Sequence, residues 1–522
     1  MNHRARGSDW LVLGVLCIAA YLVAVDNTIV NVALPSLAKS LHASNSGLQW
    51  IVDGYSLPFA GLLLAGGGLS DRLGRKRVMQ VALFGFAIFS LLAAISHTVA
   101  QLLTARALMG ASAAFIFPAT LSSLSVVFTT ASDRAKAFGI WGATAGVAIA
   151  TGPVAGGALL THYWTGSIFL VNVPLVVVGI VAVWWVVPES KLDVPGKFDL
   201  FGLTLGTLGV TALVLAIIEG PSWGWRSVAG LSLFVVAGLL LVAFTRVELA
   251  RCAPLLNVRV FTNRVFSASA GAVATNFFCL FGFIFLTTQY FQLVRGYSAL
   301  SAGVHTLPFA LAVIVATPLG AMGALRIGAR FVVSAGLILT SGALLWMATF
   351  SAQAAYVGPV LGAMIILAIG FSLVNAPATA ALMETLSPDQ IGAGASVNET
   401  TRELGGTMGV AVIGSVFASQ FGPRVRQVLL AFQGHGVTVI QINHAQSSMQ
   451  AAQMAVRQFP TNYRSHLNHQ VVDAFMSGLH RGCVVAGVTA FVVAVLVFAG
   501  LRSTSSSDAR RPLCHSTPMM SA

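Results

Sequence analysis

Long apolar stretches, separated by short polar runs, recur along the whole chain. They lie near residues 11–33, 47–69, 78–96, 99–128, 137–160, 167–187, 200–218, 228–245, 266–290, 302–323, 330–350, 357–383, 394–418 and 482–501, fourteen in all. A helix needs roughly 20 predominantly apolar residues to cross the hydrocarbon core of a bilayer, and most of these stretches meet that length. Membrane β-strands would alternate apolar and polar side chains over about 10 residues, a pattern that is absent. An all-α polytopic membrane protein with 14 transmembrane helices is therefore predicted. Arg4 and Arg6 precede the first stretch, as in a signal peptide, but that stretch runs past twenty residues with no small-residue cleavage pattern behind it. It reads as a retained first helix.

Composition narrows the class. Of 522 residues, 56% are apolar and 9% charged, against about 25% charged in a soluble domain, so a water-soluble reading is excluded. The 29 Lys and Arg outnumber the 16 Asp and Glu, leaving a net charge of +13. In a soluble protein that excess would suggest nucleic acid; here its distribution speaks of topology. With the N-terminus placed in the cytoplasm, basic residues gather on that side, as in Arg72, Arg75, Lys76 and Arg77, Arg134 and Lys136, Lys191 and Lys197, Arg326 and Arg330, and Arg502, Arg510 and Arg511. The short outer loops hold only Lys39, Arg226 and Arg295. That asymmetry follows the positive-inside rule and, with an even helix count, puts both termini in the cytoplasm of a multi-pass inner-membrane protein. No nucleic-acid partner is expected.

Cys17, Cys279 and Cys483 sit in apolar stretches while Cys252 and Cys514 fall on the reducing side, so no disulfide framework is expected. No GxxxxGK[ST] phosphate loop occurs; the fragments Gly74-Arg75-Lys76 and Gly196-Lys197-Phe198 lack the hydroxyl and the spacing. Work on a solute must then be driven by something other than an ATP site in this chain, and no cofactor is expected.

Two echoes suggest duplication. Leu73-Gly74-Arg75-Lys76 is answered by Ile327-Gly328-Ala329-Arg330, and Gly152 and Gly156 by Gly405 and Gly409, at nearly the same offset. The expected organisation is a six-helix half over 1–190, two inserted helices with linkers over 191–264, and a second six-helix half over 265–522. The polar segment 419–481, with His435, His444, His466, His469 and His480, is expected to be a long extracytoplasmic loop with amphipathic helix character around Ala451 to Phe459. Two such halves suit a solute site between them near the bilayer midplane.

Chemistry is confined to a few residues. In the run Gly67 to Arg77, Asp71 is the one acid among cations at a helix end, suited to complement a neighbouring helix N-terminus and to pair with Arg72, Arg75 or Arg134. Such a cluster can latch one side shut; the alternative is a solvated topogenic turn. Gly152, Gly156 and Gly157 present a small face for tight helix packing, and Pro153 removes a backbone bond, which makes a hinge or seam. Ionisable residues inside a bilayer cost about 2.5 to 3.5 kcal/mol each on insertion scales, so Asp26, Asp53, Arg106, Glu399 and Glu403 need a reason. A carboxylate there can bind a proton from one side and release it to the other, and it can equally pair with a cationic solute. Competition of that kind suffices for antiport. Asp26 and Asp53 are the first choices, with Arg106 modulating them; Glu399 and Glu403 are alternatively partners of Arg402 at the cytoplasmic end of their helix. Trp50, Tyr55, Phe115, Phe117, Trp141, Phe278 and Tyr290 are candidates to line an apolar cavity.

The pattern G-x-L-x-D-R-x-G-R-K over Gly67 to Lys76 resembles the signature loop of the major facilitator superfamily. DNTIVNVALP (Asp26 to Pro35), RALMG (Arg106 to Gly110) and TGPVAGG (Thr151 to Gly157) resemble its fourteen-helix drug:proton antiporter branch, as do WIVDGYSL, IFLVNVP (Ile168 to Pro174) and TTRELGG. The chain departs from that branch in carrying Trp141 and Ala148 in place of two earlier glycines, and Thr165-Gly166 in place of a Trp-Arg pair. The resemblance implies roles in coupling and substrate recognition for Asp26, Asp53, Arg106 and Glu399.

The reading that follows is a proton-driven exporter of hydrophobic, often cationic compounds, with lipid, small substrates and protons as its partners and room for a periplasmic adaptor and an outer-membrane channel. A dedicated exporter of one metabolite, sugar or siderophore is the alternative. A membrane enzyme or sensor is less favoured, because no HExxH, GxSxG or Cys/His cluster lies within the apolar stretches.

Overall fold

The computed structural model describes residues 7–41, 45–191, 199–251, 256, 258–387, 390–432, 438–446 and 448–501. Among these the chain is helical with no strand, in agreement with the expected class. The first six-helix stretch holds α1 (Gly7–Ser40), α2 (Asn45–Leu73), α3 (Arg75–Ala94), α4 (Val99–Val127), α5 (Ala131–His162), the short α6 (Ser167–Leu170) and α7 (Asn172–Val186). Then follow α8 (Leu200–Trp223) and α9 (Val228–Ala250). The remainder is α10 (Arg264–Gln289), α11 (Ala299–Ile327), α12 (Ala329–Met347), α13 (Leu361–Glu384), α14 (Ile391–Leu430), α15 (Val439–Ala445), α16 (Met449–Val456) and α17 (Thr461–Gly500). Arg4, Arg6, Lys197, Cys252, His435, Arg502, Arg510, Arg511 and Cys514 lie outside the described residues.

Thirteen of the described helical segments are long and apolar enough to span a bilayer, with α6 and α7 forming one of them together. The expected stretch 47–69 falls within α2, which is 29 residues long. Helix α2 packs against α4, α8 and α14, and it carries Asp53, Ser56, Gly66, Gly67 and Ser70.

Helices occupy much of the segment 419–481 among the described residues. Helices α14 and α17 are each 40 residues long and run well beyond the apolar stretches that marked them. Their outer turns keep a buried stripe on one side, Phe417, Phe421, Val425 and Leu429 on α14 against Leu467, Val471, Phe475 and Leu479 on α17, with Phe417 and Phe475 in edge contact at 5.1 Å. The other side is polar, which is what ended the hydropathy signal. Between them the amphipathic helix is α16, burying Met449, Ala452, Ala455 and Val456. His466 and His469 are exposed, and His480 contacts the Phe350 carbonyl at 2.7 Å.

Burial divides into two apolar cores. One runs from Val12 to Ala270 and takes in Leu382, Met383, Ala395 and Val397; the other runs from Ala272 to Leu501. Within each, glycines let backbones touch. A Cβ on Gly110 would overlap the Tyr55 carbonyl, joining α4 to α2. The glycines that echo each other in sequence have matching neighbours. Gly152 and Gly156 of α5 abut Thr28 and Ile29 of α1, while Gly405 and Gly409 of α14 abut the backbone of Ala274 and Phe278 in α10.

Gly405→Val and Gly409→Val should each lower stability by roughly 1 to 3 kcal/mol through overpacking against main chain that cannot yield. Gly271→Ala in the same α10, where nothing lies within 4 Å of the added carbon, should leave stability unchanged or raised. Thermal unfolding in detergent measures both.

Candidate functional site

Asp26 lies midway along α1 and is wholly buried, as is Arg106 near the start of α4. Arg106 Nη1 meets Asp26 Oδ2 at 2.5 Å, and Asn172 Nδ2 at the head of α7 donates to Asp26 Oδ1 at 2.8 Å. Asn172 also donates to Ser90 Oγ of α3 at 3.2 Å. Arg106 Nε donates to the Ile51 carbonyl of α2 at 3.1 Å, and the guanidinium lies 4.3 Å from the Tyr55 ring. One carboxylate thus ties α1, α2, α3, α4 and α7 into a single polar node. Sequence reasoning named Asp26 and Arg106 but gave no role to Asn172. The signal was present: an amide in the run IFLVNVP is out of place unless something needs its hydrogen bonds.

A second node lies where the two apolar cores meet. Glu399 and Arg402 are both buried and paired at 2.9 Å, with Asn398 Nδ2 donating to the same Glu399 Oε1 at 2.9 Å. The Arg402 guanidinium carbon stands 4.4 Å from the Phe277 ring centroid, 5.3 Å from Trp141 and 5.7 Å from Phe117. Of the alternative partnership of Glu399 and Glu403 with Arg402, the Glu399 ion pair is present. Helix α14 begins at Ile391, so Glu399 sits about 12 Å along it at 1.5 Å per residue. Glu403 accepts a hydrogen bond from Ser56 of α2 and lies within the field of Glu399, Arg402 and Asp53. Asp53 is half-buried.

Rings connect the two nodes. Tyr55 stacks on Phe59 at 5.9 Å, Phe59 meets Phe117 edge-on at 6.3 Å, and Phe117 meets Trp141 at 5.6 Å. An aromatic ladder therefore runs from Arg106 to Arg402. Of the rings expected to line a cavity, Tyr55, Phe117 and Trp141 belong to it, whereas the Tyr290 ring lies against Phe291.

Helix α5 carries the hinge segment between two partners. On one side Thr28 Oγ1 donates to the Ala148 carbonyl at 3.1 Å, and Tyr21 and Thr151 hydroxyls meet at 2.8 Å, fixing α5 to the helix that bears Asp26. On the other side Gly139, Gly142 and Gly146 approach Pro318, Thr317 and Val313 of α11, Pro153 approaches Gly303, and Gly157 approaches Leu300. Gly142 and Gly146 thus provide close packing near the departures at Trp141 and Ala148.

The α2–α3 turn closes the other seam between the cores. Arg75 donates to Asp71 Oδ1 through Nε at 3.0 Å and Nη2 at 2.6 Å. The Asp71 carboxylate lies against Gly392 in the first turn of α14, and Gly67 lies against Gly392 and Ser396. An acid at a helix N-terminus meets the positive end of its dipole. Gly74 has φ of 104°, and Glu189 accepts from the Lys76 and Arg77 amides at 3.2 and 3.3 Å. Glu189 caps α3 from the far end of α7 and was not foreseen. Arg72 and Arg134 are half-buried at this end of the bundle.

The profile of the Major Facilitator Superfamily matches residues 16–410. The multidrug efflux pump LfrA of Mycolicibacterium smegmatis is 32% identical over 94% of this chain and 96% of its own length. The methyl viologen resistance protein SmvA of Salmonella typhimurium is 33% identical over 88% of this chain and 92% of its own. Among solved structures, the human organic anion transporter MFSD10 superposes with a TM-score of 0.60 at 15% identity, covering 94% of this chain and all of its own, a likeness of fold.

Asp26→Asn should cost about 3 to 5 kcal/mol, because it leaves Arg106 charged and buried without a counter-ion. Asp26→Asn combined with Arg106→Gln should recover part of that loss. Thermal unfolding of the single and double variants measures the coupling between them.

Proposed function

The chain belongs to the major facilitator superfamily, and from that membership we propose that it is a proton-driven multidrug exporter, a drug:proton antiporter for hydrophobic and often cationic compounds that works by alternating access. It is a multi-pass cell membrane protein whose partners are the lipid bilayer and small solutes. The observation that carries the reading is the presence of carboxylates, Asp26 and Glu399, buried within the helix bundle and each paired with a buried arginine. A carboxylate so placed can be satisfied by its arginine, by a proton or by a cationic solute, and never by two of these at once. Each exchange of one for another is half of an antiport cycle.

Alternating access needs halves that move as bodies and seams that part. Asp26, Arg106 and Asn172 bind the helices of the first half to one another. The α5–α11 seam and the α2–α14 seam join that half to the second. Asp71 and Arg75 at the first turn of α14 hold the α2–α14 seam closed at the Gly74 end, by contacts that a separated state cannot make. Following the charge asymmetry of the loops, that end faces the cytoplasm, so the conformation described is closed to the inside.

Proteoliposomes with an imposed pH gradient test the proposal. Methyl viologen, other aromatic cations, a neutral antibiotic and a sugar are offered in parallel. Several unrelated hydrophobic cations should move only while the gradient lasts. Adding them to weakly buffered purified protein should release protons, and the release should vanish in Asp26→Asn/Asp53→Asn. Movement of a single chemical class marks a dedicated exporter instead, and drug binding without proton release overturns the coupling.

A further inference from the structure

The Arg402 guanidinium is itself a planar, delocalised cation, and it sits among three aromatic rings with a carboxylate at its edge. We infer that the cage of Phe117, Trp141 and Phe277 is the subsite for the planar cationic group of a substrate, and that Arg402 occupies it as a tethered stand-in when no substrate is bound. This rests on the reading of the protein as an exporter of cationic compounds.

Three features of the arrangement support it. The first is composition. The cage draws Phe117 from α4 and Trp141 from α5, which belong to the first core or its border, and Phe277 from α10, which belongs to the second. A ligand held by all three is held by both halves, as a transported solute must be. The second is the state of Glu399. It is 4% exposed, and a carboxylate buried in a dry site is strongly destabilising once its partner is removed. A site meant to receive a cation therefore needs a resident counter-charge between substrates, and Arg402 supplies it from three residues away on the same helix. The third is continuity. Beyond Trp141 and Phe117 the ladder continues through the buried rings of Phe59 and Tyr55, so the cage is backed by further rings on the side of the first half.

The exchange is simple in charge. A substrate cation enters between Phe277 and the rings of the first half and takes over Glu399, while Arg402 turns out of the cage and remains charged. Neither a bond nor an electron is transferred. Arg106 offers the contrast: its carboxylate, carbonyl and ring partners, Asp26, Ile51 and Tyr55, all come from the first half, so separation of the halves does not open its surroundings. Arg402 loses Phe117 and Trp141 whenever the halves part.

Titration of purified protein with ethidium, a fluorescent planar cation, at fixed pH tests the assignment. Arg402→Gln removes the resident competitor and should tighten ethidium binding by about tenfold, the ratio that corresponds to roughly 1.4 kcal/mol and to a cation–π contact in a desolvated site. Adding Glu399→Gln should abolish the gain. Phe277→Leu or Trp141→Leu in the Arg402→Gln background should weaken binding, while a neutral aromatic compound should gain nothing from Arg402→Gln. Thermal unfolding establishes that each variant is folded. Should Arg402→Gln not fold, Arg402→Lys gives the same reading, because a lysine keeps the charge but not the planar fork and should tighten ethidium binding by a smaller factor. Unchanged or weaker binding in the folded Arg402 variant, or a gain that survives Glu399→Gln, overturns the cage. Ethidium transport by the wild-type protein is measured in the same preparation. If it is gradient-driven while the Arg402 variants bind as the wild type does, the cage falls and the exporter stands; if the wild type moves no compound at all, both fall.

Discussion

A charge inside a dry helix bundle has to be neutralised where it sits, and the architecture of this protein follows from how it meets that demand. Removing a carboxylate and a guanidinium from water costs several kcal/mol per ion, offset only when the geometry is close and the remaining lone pairs are used. At Asp26 both oxygens are engaged, one by Arg106 and one by Asn172. The helices that bring these groups cannot drift apart without stranding a charge, so the first half has reason to behave as one body. The same demand at Glu399 is met by Arg402 on the same helix. There the pair survives separation of the halves, and only its aromatic surroundings depend on their being together.

Motion between such bodies requires seams that are close yet not interlocked. Helix α5 has small residues on two faces, Gly152 and Gly156 toward α1 and Gly139, Gly142 and Gly146 toward α11. The two contacts differ in kind. Toward α1 they are reinforced by the hydroxyls of Tyr21, Thr28 and Thr151. Toward α11 they are mostly van der Waals contacts between small groups, which can be broken without leaving a polar atom unsatisfied. The glycine-rich segment is thus attached to its own half and smooth toward the other.

Much of this could be read from the sequence because it depends on local pattern. Apolar length located nearly every span, and the isolated charges within those lengths, Asp26, Arg106 and Glu399, mark the two buried nodes. The Gly152/Gly156 and Gly405/Gly409 echo marked equivalent contacts. What could not be read is whatever pairs residues distant in the chain or depends on one helical face alone. Asn172 and Glu189 act on groups 146 and about 113 positions away, and no spacing rule joins them. The turns of α14 and α17 that border 419–481 do not register as apolar stretches, because averaging over all faces hides a buried stripe that is only one face wide.

Helical periodicity on α14 ties the second node to the rest. At 100° per residue, Arg402 and Glu403 point about 100° apart, with Glu399 between them in angle and about a turn earlier. Arg402 consequently turns toward the rings shared by the two halves, while Glu403 turns toward Ser56 and Asp53 on α2. Glu399 is within reach of the cage and adjoins the face that carries Glu403. A cation arriving in the cage therefore alters the field felt by a second acid one turn further along and by Asp53 across the seam. One short run of α14 can in this way make the occupancy of an aromatic site and the protonation of neighbouring carboxylates depend on each other, without a relay through the rest of the fold.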